Sequence, residues 1–138
     1  VPKVDLRMSR KIFFAVSRAI NAECVLSCHD LGEGGLAVTL CEMCIGGKKG
    51  AVLNLSLLPC EGNLSIAQKL FSESNSRFLM EVDYTLAREF EDQMRGIPFS
   101  YIGQVNDSGK VIISEANKGL LEAVVKDLDS AWRKPFVY

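Results

Sequence analysis

Two short polar runs interrupt an otherwise apolar chain, and their residue types are those that handle anions. The first, His29-Asp30-Leu31-Gly32-Glu33-Gly34-Gly35-Leu36, joins the apolar segment Cys24-Val25-Leu26-Ser27-Cys28 to a helical pattern that starts at Leu36. A strand, a glycine-rich turn with two acids and then a helix N-terminus suits a bound anion or a metal–phosphate complex. The first N–H groups of a helix have no intrahelical partner, and glycine lets a ligand come close to the main chain. The spacing is neither the G-x-x-x-x-G-K-[ST] of a P-loop nor the three-glycine dinucleotide fingerprint. The same residues also suit a plain, tight strand-to-helix connection whose glycines supply positive φ angles.

The second run is Leu70-Phe71-Ser72-Glu73-Ser74-Asn75-Ser76-Arg77-Phe78, at the entrance to a strand. A glutamate flanked by hydroxyls and an amide accepts hydrogen bonds from sugar hydroxyls or holds a metal-bound water. Arg77 has the fork geometry for a bidentate contact to phosphate or carboxylate. The plainer reading is a helix-to-strand connector whose Ser and Asn side chains satisfy local backbone groups. Other candidates rank lower. His29 has the chemistry of a general base, but no serine or cysteine nucleophile can be placed beside it from spacing. Glu89, Glu91 and Asp92 read as the solvated face of a helix, and Trp132 as a packing anchor.

The elements that position these runs follow from hydrophobic periodicity. Residues 5–22 place Ile12, Phe13, Val16, Ala19 and Ile20 on one helical face, and residues 25–28 read as a short strand. Helices are expected over residues 36–45, 64–71 and 85–94, with strands over 51–55 and 76–82. Residues 101–105 and 110–114 read as two strands joined as a hairpin at Asn106-Asp107-Ser108-Gly109. Residues 119–132 read as the last helix, before a short polar-to-apolar tail. The expected class is α+β, with α/β-like alternation broken by a hairpin, and hence a mixed β-sheet flanked by helices. The two polar runs are expected close together on one edge of that sheet.

Length and composition bound the function. A chain of 138 residues that is 48% hydrophobic suits a single domain with its own core. Sixteen basic against seventeen acidic residues leave a net charge of −1, with no basic patch evident in the sequence, so a nucleic-acid partner is not expected. No apolar run approaches the roughly 20 residues that span a bilayer, so no membrane role is expected either. The start, Val1-Pro2-Lys3, is neither a signal peptide nor an initiator methionine. It is expected to belong to a piece cut from a longer polypeptide. The cysteines, Cys24, Cys28, Cys41, Cys44 and Cys60, are odd in number and carry no secretory context, which predicts thiols in a reducing, cytoplasmic compartment. Cys41-x-x-Cys44 invites a zinc reading. It lies within an apolar helical stretch, however, with no second C-x-x-C and with His29 the single histidine. The thiols are therefore expected to be mostly buried core side chains, and no metal site is assigned.

Taken together, the two polar runs resemble a pair found in the phosphoribosylformylglycinamidine synthase family, in the last domain of its synthetase subunit. That family has an HD-x-x-[DE]-G-G-L turn opening a helix and an [FL]-x-E-S-x-S-R segment opening a later strand. Glu42 and the segment Ile102-Gly103-Gln104-Val105 fit as well, and the resemblance covers roughly residues 20–106. Gly32-Glu33 stands where the family more often has Ser-Asp, keeping an acid one carbon longer. The first motif is shared with the wider AIR-synthase-related superfamily, which includes thiamine-monophosphate kinase, selenophosphate synthetase and a hydrogenase maturation factor. The second motif narrows the choice.

The resemblance implies an AIR-synthase C-terminal-domain-like fold and an excised domain of an ATP-dependent ligase of purine biosynthesis. That ligase converts formylglycinamide ribonucleotide, ATP and glutamine-derived ammonia to formylglycinamidine ribonucleotide through an iminophosphate intermediate. ATP and Mg²⁺ are then bound mainly by a partner domain upstream in the same chain, and a glutaminase supplies the ammonia. Asp30, Gly32, Glu33, Gly34, Gly35, Glu73, Ser74 and Asn75 are the implied substrate- or nucleotide-binding residues, with no catalytic residue assigned. The alternatives are a domain of another superfamily member and a scaffold domain without catalysis. On the ligase reading the fragment alone is inactive, and an apolar surface is left for its missing neighbour.

Overall fold

The computed structural model describes residues 4–134; the Val1-Pro2-Lys3 start and the tail of residues 135–138 lie outside the described residues. In chain order the elements are α1 (Leu6–Asn21), β1 (Val25–Asp30), α2 (Gly35–Gly47), β2 (Gly50–Asn54), α3 (Ile66–Phe71), β3 (Phe78–Val82), α4 (Ala87–Gln93), β4 (Gly103–Asn106), β5 (Lys110–Glu115), β6 (Lys118–Val124) and α5 (Val125–Arg133). The chain divides into two compact units. One comprises residues 4–39 with Pro59–Ser100, the other Leu40–Leu58 with residues 101–134.

The first unit is built on α1. Asp5 caps it, its carboxylate accepting from the Arg7 and Met8 amides at 2.9 and 3.0 Å, which satisfies two of the orphan N–H groups of the first turn. Ala15 and Ala19, one turn apart and both fully buried, form a flat stripe against Phe90 and Met94 of the α4 segment. Cys24, Val25, Met80 and Val82 complete that cluster. Beneath it β1 and β3 pair antiparallel, with Cys28 opposite Met80 and Asp30 opposite Phe78. Leu6, Phe13, Phe14 and Ile20 of α1 are exposed, as is Leu26 on β1, so Phe13 and Ile20, expected on the apolar face with Val16 and Ala19, fall at its solvent margin.

The second unit is a four-stranded mixed sheet in the order β4-β2-β5-β6. β2 is antiparallel to β4 and parallel to β5, and β5 is antiparallel to β6. Ala51 and Leu53 lie opposite Val111 and Ile113 across the β2–β5 pair, and all four are buried, giving one apolar sheet face. The α+β class and the mixed sheet therefore match the expectation.

Three details of the expectation are corrected. The strands fall into two sheets, of two and four strands, rather than one. Asn106–Gly109 does not close a hairpin between neighbouring strands, because β2 lies between β4 and β5. The connection steps over the start of β2, a span of about 10 Å at ordinary strand spacing. Gly50 makes room for that step: a Cβ there would meet Ser108 Oγ, Lys110 O and the Asn106 side chain at 2.5–2.7 Å. The hairpin is instead β5–β6, turning at Ala116 and Asn117, both with positive φ, as in a two-residue type I′ turn. Residues 118–124 are accordingly strand and not helix, since the turn delivers them in register with β5, and helix begins only at Val125.

Side-chain burial also differs from the expectation in places. Cys28 is exposed, because strand alternation puts it on the outer face of β1, and Cys41 and Cys60 are only half-buried, whereas Cys24 and Cys44 are buried. Trp132, expected to anchor packing, is 63% exposed on α5. Among the described residues no helix is long and apolar enough to cross a membrane.

The close approaches in the mixed sheet generate a stability prediction. A Cβ at Gly103 would lie 2.0 Å from the Val52 carbonyl oxygen, and one at Gly50 would strike backbone and side chains. Gly103→Ala and Gly50→Ala should each cost about 1–3 kcal/mol or more, the range for overpacking, seen as a lower urea midpoint. Gly46→Ala, where a Cβ meets nothing within 4 Å, should leave the midpoint unchanged or raise it.

Candidate functional site

The sequence DLGEGGL must leave a strand and enter a helix within a few residues, and two consecutive glycines make this possible. Gly34 and Gly35 have φ of 76° and 60°, a region that costs other L-residues about 1 kcal/mol or more. Gly35 also needs its missing side chain for space, since a Cβ would lie 2.6–2.9 Å from backbone atoms of Leu70, Phe71 and Ser72. The glycine pair is therefore the point where the β1–α2 turn rests on the end of α3 and the connector after it.

That contact brings the two polar runs together. The Gly34 amide donates to Glu73 Oε1 at 3.0 Å, across 39 residues of sequence. The Gly35 amide donates to the Gly32 carbonyl at 3.1 Å, tightening the turn. Thr39, buried within α2, donates its hydroxyl to the Asp30 carbonyl at 3.1 Å and ties the end of β1 to the helix. Ser76, with a positive φ, donates to Ser9 of α1 at 2.6 Å. The side chains of Asp30, Glu33, Glu73, Ser74 and Asn75 remain exposed, while Gly32 and Gly34 are half-buried and Gly35 is buried.

Two residues have occupations that the sequence did not announce. Arg77, read as a phosphate or carboxylate contact, instead donates to the carbonyls of Ser72 and Ser74. Burial pulls its pKa below the usual guanidinium value, and the carbonyls replace the solvation it loses. His29 Nδ1 lies 2.7 Å from the Asp30 carbonyl oxygen and 3.5 Å from the Asp30 carboxylate. Thr39 was not among the expected residues; its signal was a hydroxyl inside the apolar run Leu36-Ala37-Val38-Thr39-Leu40. Glu42 is half-buried on α2.

The chemistry available here is that of an acidic, hydroxyl-rich surface around a capped helix N-terminus. Glu73 supplies the negative group that an exposed helix start would otherwise take from a ligand. Among the described residues no three His, Cys, Asp or Glu side chains converge on a point where a metal would sit. The site therefore offers oxygen ligands and hydrogen-bond acceptors at its surface.

A mixed-sheet α+β chain with this paired turn and connector belongs to the family described as AIR synthase related protein, C-terminal domain, which matches residues 1–116. The chain is similar to PurL, a subunit of phosphoribosylformylglycinamidine synthase. It is 31% identical over 133 residues to that subunit from Thermococcus sibiricus, covering 95% of this chain and 18% of the relative. It therefore spans less than a fifth of the relative's length. The solved phosphoribosylformylglycinamidine synthase II of Thermotoga maritima superposes over 100% of this chain and 24% of its own, with a TM-score of 0.85 at 20% identity. A T. maritima PurL complexed with ATP gives 0.78 at 21% identity, covering 86% of this chain and 21% of that one.

Two measurements check the geometry. Glu73→Ala should speed hydrogen exchange at the Gly34 amide by roughly fivefold, as expected for losing a bond worth about 1 kcal/mol, whereas Glu73→Gln, which keeps an acceptor oxygen, should change it little. Although Cys28 is exposed, partial desolvation by its neighbours, and then the Asp30 carboxylate, push its thiol above the ordinary value. A raised pKa leaves less thiolate at any given pH, so labelling of Cys28 should show a pH midpoint above that of a free thiol. Asp30→Asn, by removing a negative charge, should move the midpoint down.

Proposed function

We propose that this chain, both compact units together, is the C-terminal AIR-synthase-related domain of a PurL-type synthetase. In the complete enzyme it takes part in converting formylglycinamide ribonucleotide, ATP and ammonia to formylglycinamidine ribonucleotide. The observation that carries the reading is the Glu73–Gly34 hydrogen bond. It joins the two runs that together resemble this family, out of a superfamily in which the first run alone is common.

On this reading the chain's residues bind and orient rather than react. Asp30, Glu33, Glu73, Ser74 and Asn75 offer carboxylate, hydroxyl and amide groups that fit the hydroxyls of a ribonucleotide. Gly32, Gly34 and Gly35 let the main chain come close to it. Glu73 does both tasks, since one oxygen caps the turn while the other stays available to substrate. The residues present do not form an ATP–Mg²⁺ site by themselves: the Gly34 amide already has its anion, and no metal cluster is assembled among the described residues. Nucleotide and Mg²⁺ are therefore assigned mainly to an upstream domain of the same polypeptide, and ammonia production to a glutaminase partner, in the cytoplasm. The T. maritima PurL complexed with ATP supports nucleotide binding by the complete enzyme.

The reading is tested in the complete synthetase. Asp30→Asn and Glu73→Gln should each lower kcat/KM for formylglycinamidine ribonucleotide formation by about tenfold or more, some 1.4 kcal/mol of transition-state stabilisation. Circular dichroism and the urea midpoint should stay unchanged. Full activity in both variants would remove the binding role. Product formation by the 138-residue chain alone, given ammonia, ATP and magnesium, would overturn the assignment of the nucleotide to a partner domain.

A further inference from the structure

The first helix carries a charge pattern that the ligase reading leaves unused. Arg7, Arg10, Lys11 and Arg18 are its charged residues, and no acid lies between Leu6 and Asn21, although the chain as a whole carries a net charge of −1. Charge is therefore segregated here, and Arg7 even sits in the first turn, where the helix dipole disfavours a cation.

Two of these cations face a third across a cleft. Lys11 and Arg18 of α1 and Arg95, just after α4, line a cavity of about 370 Å³ whose remaining walls are Phe14, Gly96 and Ile97. All six residues lie in the first unit, and the cleft is open to solvent, with Ile97 its one half-buried wall. Arg18 Nη2 donates to the Gln93 carbonyl at 2.8 Å, which fixes its guanidinium at the cleft. Arg95 pairs with Asp92 at 2.7 Å. Lys11 makes no ion pair or hydrogen bond with any described residue. Three cations thus meet one carboxylate. Gly96, with φ of 79°, turns the chain there without a side chain to fill the space. Phe14 has Arg10 over its ring at 5.6 Å and is itself more than half exposed.

We propose that this cleft binds the anionic head of a phosphorylated small molecule. Phosphate oxygens sit among Lys11, Arg18 and Arg95, and the organic part lies against Phe14 and Ile97. Guanidinium forks match tetrahedral phosphate oxygens, and an unpaired ammonium adds a point charge. The apolar walls give an organic phosphate an advantage over the inorganic ion. No residue of the Gly34–Glu73 site takes part, so the proposal is independent of the ligase reading.

Phenyl phosphate serves as the probe, followed by the broadening of its ³¹P resonance on titration with the full chain, inorganic phosphate being the comparison. Saturable binding in about the millimolar range is expected, tighter for phenyl phosphate than for inorganic phosphate. Lys11→Gln should weaken it by about five- to tenfold, and Lys11→Gln with Arg95→Gln should abolish it, with circular dichroism unchanged. Phe14→Ala should erase the preference for the phenyl ester. Unaltered binding in the Lys11 and Arg95 variants would overturn the proposal. So would saturable binding of a polyglutamate peptide with none of phenyl phosphate.

Discussion

Backbone that approaches backbone too closely for a Cβ is the constraint on which both units depend. In the first unit Gly35 rests on the Leu70 and Ser72 carbonyls, and that contact sets the β1–α2 turn beside the connector that carries Glu73. In the second unit Gly103 lies against the Val52 carbonyl, and Gly50 lets residues 106–110 pass over the start of β2. Each contact removes room for any other residue type, so the register of strands and turns is set by excluded volume before side-chain chemistry enters. Hydrophobic burial supplies the driving force, but it is not directional. The glycines supply direction.

The polar site shows how such a contact becomes chemistry. Once Gly35 has docked, the Gly34 amide faces the connector, and an exposed helix start with its partial positive charge needs an acceptor. Glu73 provides one from within the chain. Arg77 then satisfies the carbonyls of Ser72 and Ser74, which lie beyond the end of α3. The connector is therefore organised by its own charged residues, and the side chains left facing water are the acids, hydroxyls and amide of the candidate site. A rigid turn presenting exposed polar groups is the arrangement expected where a ligand must be oriented and not attacked.

Much of this was legible in the residues themselves. The helix over Leu6–Asn21 followed from the spacing of Ile12, Val16 and Ala19. The strand–turn–helix around Gly34-Gly35 followed from glycines placed between a short apolar segment and a helical pattern. The candidate residues followed from polar runs in an apolar chain. All of these are local signals, carried within a few residues of the feature they specify. What stayed hidden depended on which strands pair, a choice made outside each segment. Asn106–Gly109 has hairpin chemistry, yet β2 intervenes, and only the space above Gly50 decides that. Residues 118–124 carry apolar side chains compatible with helix, and pairing with β5 through the Ala116-Asn117 turn makes them strand. Cys28 reads as a core thiol until the β1–β3 pairing fixes which face of the strand is outward.

By itself, then, the sequence determined most of the elements, the class of fold and the chemical character of the two polar runs, because periodicity and turn preference act at short range. The tertiary structure alone decided that the runs meet through Gly34 and Glu73 and that Arg77 is consumed by backbone carbonyls. It also decided that Lys11, Arg18 and Arg95 share a cleft. The Gly34–Glu73 and Arg18–Gln93 pairings span 39 and 75 residues, and no local preference encodes them. They arise from close packing, which admits one arrangement of backbone around residues that have no side chain and leaves the charged groups to find partners within it.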